Sequence, residues 1–341
     1  MVISKRIGAQ TVELTAPVCI AAGAAVVGKK EGEGPLRERF DEIGFDAYFG
    51  QKSWEKAESV MLQRCFRRLC DKSGTPPEEL QYLLSGDLQS QCTASAFALR
   101  DSAVPFLGLY GACSTMGEAM SIGAMLIDGG AAERVCAMTS SHFCSAEREF
   151  RLPLEYGGQR TPTAQWTATA AGAVLLRRGS GGVRVTHVTT GRIVDAGVTD
   201  AGNMGGAMAP AALDTLKAHL AETGRGAGYY DAVITGDLGQ FGHEVLADLA
   251  RAEGLEFPKV FTDCGMLLYN AKHQDVHAGG SGCGCCAAVF AGHILKCLQE
   301  GMWRRILFAP TGALMSLVTS QQGESIPGIC HALAIEAEEA K

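Results

Sequence analysis

Two distant stretches of the chain repeat one order of apolar and small residues. Val104 to Tyr110 is an apolar run with strand character that ends in Gly111-Ala112-Cys113-Ser114. A small-residue helical pattern follows over Thr115 to Asp128, then Gly130, then a second apolar run from Arg134. Much later the Gly-rich turn Gly280-Ser281-Gly282-Cys283-Gly284-Cys285-Cys286 leads into a helical pattern over Ala287 to Gln299, then Gly301, then an apolar run from Arg305. Gly130 and Arg134 match Gly301 and Arg305 at one common offset of about half the chain. A second echo, Leu84-Ser85-Gly86-Asp87-Leu88 against Ile234-Thr235-Gly236-Asp237-Leu238, keeps the same order. The pattern therefore predicts a duplicated α/β unit with halves at 1–180 and 181–341. The alternating stretch Gly181 to Gly191 is read as the opening strand of the second half. Both small-residue helices are apolar on nearly every face, so they should lie between layers and pack against each other at the centre.

Length and composition agree with a large, well-filled core. The chain has 341 residues, of which 47% are apolar and 20% charged, which excludes disorder. Aromatic residues are only 7% and glycine numbers 43, so small side chains must fill much of the interior. Thirty basic residues against 37 acidic ones argue against a nucleic acid or anionic membrane held by bulk charge. The 13 cysteines, several of them (Cys65, Cys92, Cys136, Cys297) inside apolar stretches, suit a reducing compartment. Neither a signal sequence nor a membrane span is read from the chain.

Cys113 has the clearest chemical setting. It follows a strand read as buried and opens a buried helix, where N–H groups and the helix dipole favour a thiolate and would also hold a ligand's oxyanion. The bland alternative is a packed core thiol. Cys283-Gly284-Cys285-Cys286 could suggest a metal, but no second cysteine pair stands at suitable spacing, so small side chains at a close backbone crossing are the better reading. No metal or cofactor is expected. Glu118 is expected to be paired in the core, and Arg148, Arg151 and Arg160 to form a solvated face or partner surface. His187, His219, His243, His293 and His331 read as surface or satisfied core residues.

Four segments carry a resemblance: Tyr110 to Met120, Thr262 to Asn270, Ala278 to Ala287 and Ser320 to Pro327. Together they resemble the stage V sporulation protein AD family, over nearly the whole chain. The resemblance implies a thiolase-like, five-layered αβαβα fold of two similar halves. It also implies a protein that binds dipicolinic acid, with calcium as an open companion, for uptake into the developing spore. Such a protein would act with other stage V sporulation membrane subunits, peripherally on the spore inner membrane, and as a homodimer through an edge strand. The wider superfamily condenses acyl thioesters with a Cys nucleophile and second-half His and Asn residues. Cys113 matches the nucleophile, but Asp263 stands where the ketoacyl-synthase-III pattern has His, and the turn at Gly280 lacks the Asn. Binding without condensation is therefore expected, with a Cys113 acyltransferase as the alternative. The ligand site is expected between the halves, at the N-terminal end of the helix after Cys113. Cys113, Ser141, His142, Asp263, Cys264, His277 and Ser281 would converge there, with Lys29 as a further cation.

Overall fold

The computed structural model describes residues 5–150 and 160–338; Arg151 lies outside them. Five main strands come from the first half: β1 (Thr11–Val27), β2 (Tyr82–Gly86), β3 (Phe106–Gly108), β4 (Arg134–Ser141) and β5 (Ala170–Arg178). Five come from the second: β6 (Val183–Thr189), β7 (Ala232–Thr235), β8 (Val260–Asp263), β9 (Arg305–Ala309) and β10 (Ala332–Ala337). Their side-by-side orders are β3-β2-β4-β5-β1 and β8-β7-β9-β10-β6, the same topology twice. In each half the last strand in the chain runs antiparallel to both neighbours, and the others pair in parallel. The first strands of the two halves, β1 and β6, also pair antiparallel, with Thr11 opposite Thr189 and Val18 opposite Val185.

Side-chain alternation along these strands sorts residues into three cores. In β5, Ala170, Val174 and Leu176 face the central core, while Ala171, Ala173 and Leu175 face an outer one. In β9, Ile306 and Phe308 face the same centre, and Leu307 and Ala309 face the opposite outer core. Strands buried on both faces read as continuous apolar runs, as in doubly covered sheets. Helix α1 (Trp54–Ser73), capped by the Ser53 hydroxyl and by Gly74 at φ 63°, covers the first sheet with Met61, Leu62 and Leu69. Between the sheets lie α2 (Thr115–Asp128) and, after the short α3 (Phe143–Phe150), a second central helix from the other half. The second sheet's outer face is covered by α4 (Met204–Thr223) and α5 (Gly239–Ala252). The second central helix, α6, starts at Cys283–Val289 and runs on through a wider turn, Phe290–Ile294, to Gln299. The layers are thus α1, sheet, α2 with α6, sheet, α4 with α5. Gly172 of β5 sits where α6 crosses it, and a Cβ there would overlap the Ala287 carbonyl.

Two expectations are corrected. The run Val104 to Tyr110 is not a buried strand: β3 is the outermost strand of its sheet, and Phe106, Leu107 and Tyr110 are 38%, 43% and 46% exposed. The second central helix begins four residues earlier than the pattern indicates, so Cys283, Cys285 and Cys286 lie inside its first turns. Their small side chains permit the crossing where the Cys286 thiol approaches the Cys113 carbonyl at 3.5 Å. Among the described residues no helix is long and apolar enough to cross a membrane.

Candidate functional site

The chain leaves β3 through a tight elbow. Ala112 has φ 51°, a left-handed conformation that costs a non-glycine residue about 1 kcal/mol or more. Hydrogen bonds hold it: the Thr115 hydroxyl accepts from the Gly111 N–H at 3.0 Å and donates to the Ala112 carbonyl at 2.6 Å, and the Ser114 hydroxyl donates to the Gly111 carbonyl. Gly312 permits the close approach, since a Cβ there would overlap the Gly111 carbonyl. Cys113 is buried, and the cavity beside it, lined by Leu88, Ala112, Phe150, Ser281 and Met315, measures about 30 Å³. That is room for a water or two.

The structure places most of the other expected residues in structural work. Asp263 caps the helix Cys264–Leu268 and is fully buried. Its carboxylate accepts from the Thr235 hydroxyl (2.7 Å) and from the N–H groups of Leu238, Gly239 and Gly265 (2.9 Å each). All its lone-pair directions are used, and it offers no proton to a neighbouring oxygen. Burial pushes its carboxyl above the usual range, against those four donors. Asp237 beside it faces the Cys285 and Cys286 thiols and the Cys286 N–H, and burial followed by the Asp263 charge pushes it well up. Asp263 thus has the four donors that favour a charge, while burial and its neighbour's charge work against one on Asp237. Cys264 is buried, its thiol pushed well up by burial. Ser141 donates to the Ala168 carbonyl at 2.7 Å and accepts from Gly284 N–H, fastening the Gly-rich turn. Only Ser281 joins Cys113 at the small cavity.

Each half carries one such acid pair. Glu58 on α1 and Asp87 after β2 mirror Asp237 and Asp263, with Asp87 and Asp237 occupying the echoed Gly-Asp-Leu positions. Glu118 departs from expectation, since its buried Oε2 has no hydrogen-bond partner among the described residues. Arg148 pairs with Glu55 at 2.9 Å and lies over Trp54.

A spacious pocket lies elsewhere. A pocket of about 680 Å³ opens beside the loop after β1, lined by Lys29, Lys30, His142, Phe143, Trp166 and Asp275 among others. Phe143 and Trp166 stack at 3.7 Å with an 8° angle between rings. Lys30 Nζ lies 3.2 Å from the Trp166 centroid and donates to the Asp275 carbonyl at 2.7 Å. Arg160 also stands over Trp166, at 4.9 Å, and pairs with the Asp275 carboxylate at 2.7 Å. Glu31, buried at the pocket floor, accepts from Thr169 N–H and the Tyr269 hydroxyl, and burial pushes its carboxyl up.

His142 reaches this pocket but not as a cation. Its Nδ1 accepts from the Cys144 N–H at 3.2 Å, which puts its proton on Nε2, donating to the Ala47 carbonyl at 2.7 Å. Burial lowers its pKa, so the ring is a neutral positioning element. His277 lines neither cavity; it has φ 49°, bonds the Thr161 carbonyl at 2.7 Å and faces Asp275 at 3.2 Å. The structure thus divides the expected residues: Cys113 and Ser281 at the small cavity, Lys29 and His142 at the large pocket, Ser141, Asp263 and Cys264 in the framework. Sequence reading missed Phe143, Trp166 and Asp275. An isolated Trp in Thr163-Ala164-Gln165-Trp166 was the available signal.

The architecture has solved counterparts. AbyA1, a tetronic acid condensing enzyme, aligns with 94% of this chain and 100% of its own at a TM-score of 0.57 and 16% identity. The 3-oxoacyl-(acyl-carrier-protein) synthase III of Aquifex aeolicus VF5 gives 0.56 at 14% identity, over 94% of this chain and 99% of its own. The Bacillus anthracis acetyl-CoA acetyltransferase gives 0.57 at 14% identity, over 96% and 100%. At such identities the likeness establishes the thiolase-like fold alone. Sequence comparison goes further. The chain is 40% identical over 332 residues to stage V sporulation protein AD of Bacillus subtilis (strain 168), spanning 97% of this chain and 98% of that protein. The profile of the stage V sporulation protein AD family matches residues 8–336, and the chain belongs to that family.

Proposed function

We propose that this chain is a dipicolinate-binding sporulation protein rather than a condensing enzyme, and that the ligand lies in the pocket of Lys29, Lys30 and Trp166. One observation carries the reading. Two lysines stand with a stacked Trp166–Phe143 pair around about 680 Å³, within the usual range of about 300–1,000 Å³ for small-molecule sites, while the Cys113 cavity is far below it. A flat pyridine with two carboxylates wants an aromatic wall and cations, and charge-assisted hydrogen bonds supply the orientation. Against condensation stands Asp263, whose lone pairs are all committed to donors. The proposal includes homodimer formation through the exposed edge β3, peripheral docking at the spore inner membrane, and contact there with other stage V sporulation subunits.

Calorimetric titration with dipicolinate, and benzoate as control, tests it. We expect one-site binding of dipicolinate, weakened about tenfold or more by Lys29→Met or Lys30→Met and unchanged by Cys113→Leu. Loss of binding in Cys113→Leu alone would move the ligand to the elbow. The elbow favours a second reading, acyl transfer through Cys113. Intact mass after incubation with acyl-coenzyme A thioesters tests that one, a stoichiometric adduct at Cys113 being its signature.

A further inference from the structure

Asp275 occupies the cations that an incoming carboxylate requires. Its carboxylate pairs with Arg160 at 2.7 Å and with His277 at 3.2 Å, and its carbonyl accepts from Lys30 at 2.7 Å and from Arg160 Nη2 at 3.2 Å. The Arg160 side chain is only 18% exposed, and its Nη1 has no hydrogen-bond partner among the described residues. Lys30, the other cation, is held flat against Trp166, on the aromatic surface a planar ligand would use. Two further bonds stitch the same segment down: Gln274 Nε2 donates to the Lys30 carbonyl at 2.7 Å, and Asn270 N–H donates to Gln274 Oε1 at 2.9 Å.

We infer that Asp275 is a built-in competitor, so that an aromatic dicarboxylate binds by anion exchange; this rests on the dipicolinate reading of the pocket. The incoming carboxylate takes over Arg160 and Lys30, Lys30 leaves the Trp166 face to pair with it, and the ligand ring takes the place of the ammonium there. Asp275, whose side chain is 74% exposed, is released to water. Such a site discriminates against weak anions, because a ligand gains only the difference between its own pairing and that of Asp275. The exchange also couples occupancy to the segment 270–277, since it breaks the bonds that tie this second-half segment to the first-half Lys30 loop.

The test is dipicolinate affinity in the full chain carrying Asp275→Asn and, separately, Asp275→Ala, with Lys272→Met on the same exposed loop as a control. Removal of the competing charge should tighten binding about two- to fivefold in both Asp275 variants, the range expected from one partly exposed ion pair, and leave Lys272→Met at the wild-type value. Unchanged or weaker binding in both Asp275 variants, with Lys30→Met still losing affinity, overturns the exchange and leaves the pocket reading intact. Dipicolinate binding that is indifferent to Lys30→Met overturns both. Far-UV circular dichroism of each variant shows that it is folded before titration.

Discussion

Replacing Glu58 by Gln should flatten a fall in stability with rising pH. Glu58 is fully buried; its Oε1 accepts from the Ser140 hydroxyl at 3.0 Å, and its Oε2 from the Ser145 hydroxyl at 2.7 Å and Gln89 Nε2 at 2.8 Å. Burial first, then the charge of Asp87, push it from the ordinary 4.5 up to about 8. Asp87 accepts from two N–H donors, Gln89 and Ser95, while burial pushes its carboxyl up as well. Between pH 4.5 and about 8 the folded chain therefore holds a proton that the unfolded chain has released. The unfolded state binds fewer protons, so unfolding free energy falls as pH rises, by up to about 1.4 kcal/mol per unit. The contribution is complete below about 4.5 and gone above about 8. From pH 6 to pH 8 it amounts to about 2–3 kcal/mol, a property of the Glu58–Asp87 pair. Gln has the shape of the protonated acid and no proton to lose. Glu58→Gln should lie within about 1 kcal/mol of wild type at pH 6 and exceed it by about 2 kcal/mol at pH 8. Urea unfolding followed by circular dichroism at pH 6, 7 and 8, at fixed ionic strength and with reductant for the 13 cysteines, measures this. Wild-type and Glu58→Gln stabilities that run parallel across the three pH values would refute the reasoning.

Asp263→Ala strands four buried donors and should cost about 3–6 kcal/mol in urea unfolding; a loss below 1 kcal/mol would remove Asp263 from the framework. Gly172→Ala drives a methyl group into the Ala287 carbonyl and should cost about 1–3 kcal/mol or more, read as a lowered urea midpoint. Leu107→Lys on the exposed edge strand should convert a homodimer to a monomer by light scattering at micromolar concentration, and a wild-type chain already monomeric there would end the edge-strand proposal.

The duplicated architecture was readable because its signals are local. The echo of Gly86-Asp87-Leu88 in Gly236-Asp237-Leu238 marks the end of β2 and of β7, and the small-residue run from Thr115 matches α2 residue for residue. The exposure of β3 was not readable, since an apolar run looks alike whether one neighbour flanks it or two. The site was read only in part. Asp263 ends β8 and Cys113 follows β3 through the elbow, but whether space remains beside Cys113 depends on Phe150 and Met315, far away in sequence. The neutral tautomer of His142 depends on the Cys144 N–H and on the Ala47 carbonyl, which the fold brings to it from 95 residues away. Asp275, Arg160 and Lys30 meet only through the fold.

The crossing of α6 over β5 sets a schedule for synthesis. Gly172 and part of the inner face of the first sheet are covered by residues 283–299 beside α2, and β1 finds its second neighbour only when β6 exists. A nascent first half leaving the ribosome thus carries a partly open apolar face until α6 arrives, and an unpaired strand edge until β6 follows β5. At about 5–20 residues per second, the roughly 120 residues between the end of β5 and the end of α6 take roughly 6–24 s to translate. For that interval the first half is a natural client for a chaperone, and slowing translation within the second half should raise the aggregated fraction even though no residue of the finished protein has changed.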